Sequence, residues 1–172
     1  EVGEGIRRSG VSRDDVFIET KVWITDYGYN STLRAFDKSA TKLGVEQIDL
    51  QQFHVWNDDW HDQDEWKTAI EKLTKEGKVA HWGVSVNRWE PENVLETLRT
   101  GLISTVQVIY NIFDQAPEDQ LFPLCKELDV AVIARVPFDE GSLTGMLTHE
   151  TTFPADDWRA TYFVPENLHA SV

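Results

Sequence analysis

Lys21, His54, Ser85, Asn111 and Arg135 each stand near the end of a separate apolar run, where a strand-like stretch gives way to a loop. These residue types move protons, donate hydrogen bonds to an oxygen that is gaining charge, or hold a polar ligand. His54 lies near the end of Ile48-Asp49-Leu50-Gln51-Gln52-Phe53-His54-Val55-Trp56 and is followed by Asp58 and Asp59, so a metal-dependent hydrolase built on those three is one reading. The His61-Asp62-Gln63-Asp64 cluster lacks a His pair at helical spacing and reads as a solvated loop with a helix cap. Each tip also has an ordinary reading. Lys21 can be a snorkelling surface residue and His54 a satisfied core histidine. Ser85, Gln107 and Asn111 can serve loop backbone groups, and Arg135 can pair with Asp139 or Glu140.

Five strand-like runs carry these tips: Val16 to Trp23, Ile48 to Trp56, Val79 to Val86, Thr105 to Ile112 and Ala131 to Phe138. Helical patterns lie between them. Leu33, Phe36, Ala40 and Leu43 share a stripe that Gly44 stops, and Trp66, Ala69, Ile70 and Leu73 form a second, with Asp62 and Glu65 resembling a capping box. Pro91 opens a third helix closed by Gly101, and Pro117 to Leu128 forms a fourth. Residues 1–9 read as the end of a helix with Gly10 after it, which suggests sequence upstream of Glu1. The loop 139–145 follows the fifth run, and residues 146–172 show no sixth strand and read as irregular.

Strand starts recurring about every 26 to 32 residues, each followed by a helix, imply right-handed βαβ crossovers and a parallel sheet. No G-x-G-x-x-G turn follows the first strand, which weakens a doubly wound dinucleotide-binding sheet. Polar residues at the C-terminal ends of several strands favour the α/β class in its (β/α)8 TIM-barrel form. With about five βα units between residues 16 and 145, residues 1–172 read as a single partial barrel domain, since a whole barrel takes about 200 residues or more.

Hydrophobic residues make up 41% of the chain, enough to build a core, while a net charge of −14 disfavours nucleic acid or an anionic membrane surface as partner. Cys125 is the single cysteine, falls on an apolar helix face and reads as a buried, inert thiol. With no disulfide possible and no secretory or membrane-spanning run, a cytoplasmic location is expected.

Taken in order, VGEGIRRSG, VFIETKVW, LRAFDKSATKLGVEQIDL leading into FHVW, EKLTKEGKVAHWGVS, VQVIYNIFDQ and AVIARVPFDEG resemble the aldo-keto reductase family over about Val2 to Gly145. The resemblance implies a (β/α)8 barrel that transfers hydride between NADP, with NAD possible, and a small carbonyl or alcohol substrate. It implies that Lys21 is the family's catalytic lysine and His54 its histidine, while the matching Asp and Tyr belong to a segment preceding Glu1. It places Ser85 and Gln107 on the nicotinamide carboxamide; the Asn usually found directly after the Ser is Val86 here, with Asn87, also a cofactor-binding candidate, one place later. Arg135 stands where many members carry a stacking aromatic residue, and Val136, Phe138 and Gly141 match the start of the loop over the pyrophosphate. The segment that holds an adenosine 2′-phosphate is not found before Val172.

Three function classes compete on this reading: an oxidoreductase with little turnover in residues 1–172 alone, a non-catalytic nucleotide- or partner-binding relative suggested by Val86 and Arg135, and the metal-dependent hydrolase. A partial barrel also exposes strand edges, so self-association is expected unless Phe153, Trp158, Tyr162 and Phe163 bring the C-terminal segment over one edge.

Overall fold

The computed structural model describes residues 1–87 and 89–172. Strands β1 (Glu19–Val22), β2 (Ile48–Trp56), β3 (Val79–Val86), β4 (Thr105–Ile109) and β5 (Ala131–Arg135) lie side by side in that order, every neighbouring pair parallel. Helices α1 (Val2–Ser9), α2 (Tyr29–Leu43), α3 (Asp64–Lys75), α4 (Leu95–Arg99) and α5 (Leu121–Leu128) precede or link the strands, and α6 (Arg159–Tyr162) and α7 (Pro165–Ser171) close the chain. Spatial order equal to sequence order leaves no switch point, so the crossovers wind in one sense along an arc of a barrel instead of doubling back as in an open dinucleotide-binding sheet.

Because side chains alternate across a strand, each face of the sheet has its own chemistry. On the face covered by helices, Val22, Phe53, Val84, Val106 and Val108 pack against Phe36, Trp66, Leu73, Leu98 and Leu121 in one apolar cluster. Phe53 stacks on Trp82 at 5.4 Å and meets Trp66 edge-on at 6.0 Å. Each such side chain contributes roughly 1.5–3 kcal/mol by leaving water. On the opposite, interior face the register aligns Lys21 with Gln52 and Gly83, and His54 with Ser85 and Gln107. That face is largely polar.

The element boundaries differ from the sequence expectation where long-range polar contacts intervene. Residues 16–18 are not ladder strand. The Arg13 guanidinium binds the carbonyls of Val16 and Gln47 and the Asp49 carboxylate, which also accepts the Ile18 amide at 2.7 Å. The expected helix from Pro91 begins only at Leu95, because the Asp58 carboxylate accepts the Glu96 and Thr97 amides at 2.8 and 3.0 Å and sets the start from another loop. No capping box forms on α3, whose N-cap is Gln63 without a side-chain cap bond. Ala116–Glu118 is a 3-10 turn before α5, and β4 and β5 stop at Ile109 and Arg135. Gly44 ends α2 as expected, its amide and that of Val45 both reaching the Ala40 carbonyl with Gly44 at φ 75.

Residues 146–172 are not wholly irregular. Phe163 is buried, stacks on Phe153 at 5.5 Å, and the Tyr162 hydroxyl reaches Asp139 at 3.3 Å, so the segment packs on itself and on the turn after β5. It leaves the β5 edge open, with Val132 39% exposed. Among the described residues, no helix is long and apolar enough to cross a membrane.

Candidate active site

The C-terminal tip of β2 is irregular. His54 pairs with Ser85 but Trp56 pairs with Val86, and the extra residue, Val55, sits in the left-handed region at φ 60. For a β-branched residue this conformation costs on the order of 1–3 kcal/mol, and such strain persists only where surrounding contacts impose it. The bulge has a purpose that alternation explains. Regular pleating would put His54 and Trp56 on the same face, whereas the inserted residue keeps His54 on the interior face and sends Trp56 into the apolar cluster with Phe53.

His54 lies in a cationic setting. Burial first, then the positive charges of Lys21 and Arg135, hold its pKa below the ordinary 6.5 and favour the neutral imidazole. Its Nδ1 is buried without a protein partner, and the Trp23 ring lies 5.3 Å away. Lys21 pairs with Glu19 at 3.3 Å on the same face of β1, and Gln52 Nε2 also donates to Glu19. Thus Lys21, His54 and Arg135, from three strands, come within electrostatic reach of one another.

Ser85 is buried beside His54 in the ladder, and Gln107 is the next neighbour, its Oε1 buried and unpaired. Gln52 Oε1 and Thr105 Oγ1 are likewise buried without partners. An orphaned polar group of this kind costs about 1–3 kcal/mol; four such atoms lie on the interior face, and Gln51 on the helix-covered face leaves both its amide atoms unpaired as well. Asn87 is partly committed, since its Oδ1 accepts the Trp89 amide at 2.7 Å. Asn111 is structural: it accepts the Phe113 and Asp114 amides and donates to Asp114 and to the Val136 carbonyl, tying the β4 loop to the end of β5.

Arg135 is exposed and, among the described residues, forms no ion pair with Asp139 or Glu140; Asp139 instead accepts the Ser142 hydroxyl at 2.7 Å. After it, Val136, Asp139 and Glu140 have φ of 58, 43 and 56, and Gly141 has φ 107. Phe138 is exposed, and its carbonyl accepts the amides of Gly141 and Leu143. This is a second strained turn at a strand tip.

The structure also removes candidates. Asp58 is spent on α4, where it also accepts the Thr97 hydroxyl at 2.6 Å, so it does not join His54 in a metal site. Among the described residues, no group of three or more His, Cys, Asp or Glu could hold a metal ion. Tyr27 packs among Phe53, Trp56 and Trp60, and burial pushes its phenol pKa upward. Tyr29 opens α2 near Lys72, Tyr110 donates to Glu118 and Tyr162 to Asp139, and among the described residues no tyrosine hydroxyl bonds to the His54 imidazole. Cys125 is buried, its thiol pushed up to about 11 by burial. A cavity of about 830 Å³ lies at the other end of the sheet, beside Arg13 and Phe17.

Sequence reasoning missed Gln52, Thr97 and the contact of the Tyr27 hydroxyl with the His54 carbonyl. Only the alternation of β2 could have singled out Gln52, and nothing local marks the other two.

The chain is similar in sequence and fold to known proteins. The family profile described as aldo/keto reductase covers residues 1–170. The chain is 38% identical over 146 residues to the 9,11-endoperoxide prostaglandin H2 reductase of Trypanosoma cruzi, covering 85% of this chain and 50% of that protein. It superposes on the glycerol dehydrogenase of Gluconobacter oxydans with a TM-score of 0.79 at 27% identity, covering 99% of this chain and 55% of the other. It superposes on an aldo/keto reductase from Klebsiella pneumoniae, crystallised with NADP and acetate, with a TM-score of 0.69 at 29% identity, covering 87% and 52%. The chain spans about half the length of the curated relatives it matches. A sheet wound in one sense, polar at the carboxyl ends of its strands, and a family match along nearly the whole sequence together establish that this chain belongs to the aldo/keto reductase family.

Proposed function

We propose that the chain carries the lysine and histidine side of the active site of an NADP-dependent oxidoreductase that interconverts small carbonyls and alcohols. NAD is the second cofactor choice. The observation that carries this reading is the interior layer of His54, Ser85 and Gln107, in which two polar atoms are buried without protein partners beside the charges of Lys21 and Arg135.

In this reading a neutral His54 donates a hydrogen bond to the substrate oxygen as negative charge builds there. The Lys21 ammonium, steadied by Glu19, lowers the pKa of a nearby phenol so that it can protonate that oxygen near neutral pH. The Tyr27, Tyr110 and Tyr162 hydroxyls are bonded elsewhere and Tyr29 stands on α2, so on this reading the phenol is supplied from outside residues 1–172 and this chain alone has little turnover. The residues present suit a nicotinamide. Gln107 Oε1 is an unused buried acceptor fitting a carboxamide N–H, Ser85 lies next to it, and Asn87 retains its Nδ2 donors. The exposed Arg135 guanidinium is a flat surface for the ring, and Val136, Phe138 and Gly141 begin the covering loop. The bound cofactor would supply the hydride. The NADP complex of the Klebsiella relative supports this assignment.

Titration of the chain with NADPH, read by quenching of tryptophan fluorescence, tests the proposal. Saturable binding that Gln107→Ala weakens is expected. Absence of binding overturns the cofactor assignment for this chain.

A further inference from the structure

We propose that Tyr27, Trp56, Thr97 and Asp58 are positioning residues for His54, clasping the strained tip of β2 so that the imidazole stays on the interior face. The inference deepens the proposed function and rests on its reading of His54 as the group that faces the reacting oxygen.

Val55 is the reason a clasp is needed. A valine at φ 60 does not hold that conformation by preference, and relaxing it to extended backbone would remove the bulge. Slippage by one residue in a strand exchanges the faces of the side chains beyond it, so the bulge decides which of His54 and Trp56 points inward. Bonds from both sides oppose that slippage. On one side the Tyr27 hydroxyl donates to the His54 carbonyl, from a ring wedged against Phe53 at 5.1 Å, Trp56 at 5.4 Å and Trp60 at 5.2 Å. On the other side Trp56 Nε1 donates to Thr97 Oγ1 at 2.7 Å, and that hydroxyl donates to Asp58 Oδ1 at 2.6 Å.

Asp58 then closes the circuit. It lies two residues beyond Trp56 and accepts the Glu96 and Thr97 amides, while its own amide donates to Asn93 Oδ1 at 3.1 Å. The segment carrying His54 is therefore pinned to the loop before α2 through its backbone and to the start of α4 through a relay of buried side chains, Thr97 and Trp56 both being almost fully enclosed. None of these four groups reaches the imidazole itself. They act through the backbone.

The test is the titration of the His54 imidazole, followed by NMR in the whole chain, for wild type and for Tyr27→Phe, Thr97→Val and Thr97→Ser. Around the imidazole lie Lys21, itself paired with Glu19, the Arg135 guanidinium and the Trp23 ring. Loosening the tip lets the ring leave its enclosed, cationic setting, so Tyr27→Phe and Thr97→Val should raise the midpoint toward 6.5 and broaden the ring resonances. Thr97→Ser keeps the hydroxyl and should retain the wild-type midpoint. A purely structural role would lower the melting temperature of Thr97→Val without moving the His54 midpoint, and that result overturns the proposal. Should Thr97→Val not fold, Tyr27→Phe decides: an unchanged midpoint there overturns the clasp. The NADPH titration reads the functional assignment separately, so a chain that binds NADPH with an unmoved His54 midpoint refutes the clasp alone. A moved midpoint without NADPH binding refutes the cofactor reading alone.

Discussion

Replacing Gly83 by alanine should destabilise the chain by about 1–2 kcal/mol, although alanine is ordinarily the better strand residue. Gly83 lies within β3 on the interior face, between Gln52 of β2 and Thr105 of β4. A β-carbon there would sit 2.2 Å from Thr105 Oγ1, 2.9 Å from Gln52 Cγ and 3.1 Å from the Thr105 carbonyl oxygen. The hydroxyl and the glutamine chain can swing aside, but the carbonyl belongs to the neighbouring strand and cannot. Overpacking of this kind costs about 1–3 kcal/mol, and the entropy relieved by removing a glycine returns about 0.5–1 kcal/mol. For a chain of this length that is a fall of roughly 2–8 °C in Tm. Urea denaturation followed by far-ultraviolet circular dichroism measures it. Thr105→Ala removes the nearest clashing atom, so the double variant should be more stable than the two single effects predict by addition. The reasoning is refuted if Gly83→Ala is as stable as wild type, or if the two substitutions simply add.

Two further outcomes are expected. His54 has an ordinary pKa of 6.5 when unfolded and a lower one when folded, so the unfolded chain binds more protons as pH falls through 6.5 toward the folded value. Stability from the neutral imidazole is thus present above 6.5 and lost on acidification; the urea-stability advantage of wild type over His54→Gln should shrink between about pH 7.5 and 5.5, and a constant difference refutes it. The open edges at β1 and β5 should make the chain associate with rising concentration in sedimentation velocity experiments, and Val132→Lys, placing a charge on the exposed β5 edge, should reduce that association. A monomer at all concentrations sinks the edge argument.

Legibility in the sequence varied with the range of the interaction. The β2 and β3 bounds were readable to the residue, since Ile48–Trp56 and Val79–Val86 are dense in apolar and aromatic side chains and end at clear breaks. Gly44 marked the stop of α2 for the same local reason. Pro91 is a good local start signal, yet the cap that sets the start of α4 comes from Asp58, in the loop after β2. Val16 to Ile18 look like strand residues, yet Arg13 and Asp49 hold them outside the ladder, which starts at Glu19. Burial of Cys125 followed from its place on an apolar helix face.

For the candidate site, strand-tip position put Lys21, His54, Ser85, Asn111 and Arg135 on one end of one sheet, the family resemblance added Gln107, and the parallel register aligns His54, Ser85 and Gln107 in a row. Asn111, equally well placed in sequence, serves its own loop, and Asp58, equally reactive in type, caps a helix.

The sequence by itself determined the number of the strands, their parallel pairing through βα units and the end of the sheet where polar residues gather. These depend on residue alternation, helix periodicity and connection length, all of which are local. Only the tertiary structure decided that Val55 is forced into a bulge, that Tyr27 turns inward to hold the His54 carbonyl, and that Thr97 links Trp56 to Asp58. Those contacts join residues 27, 41 and 39 positions apart, and no periodicity in the chain encodes which distant partner a buried polar group will find.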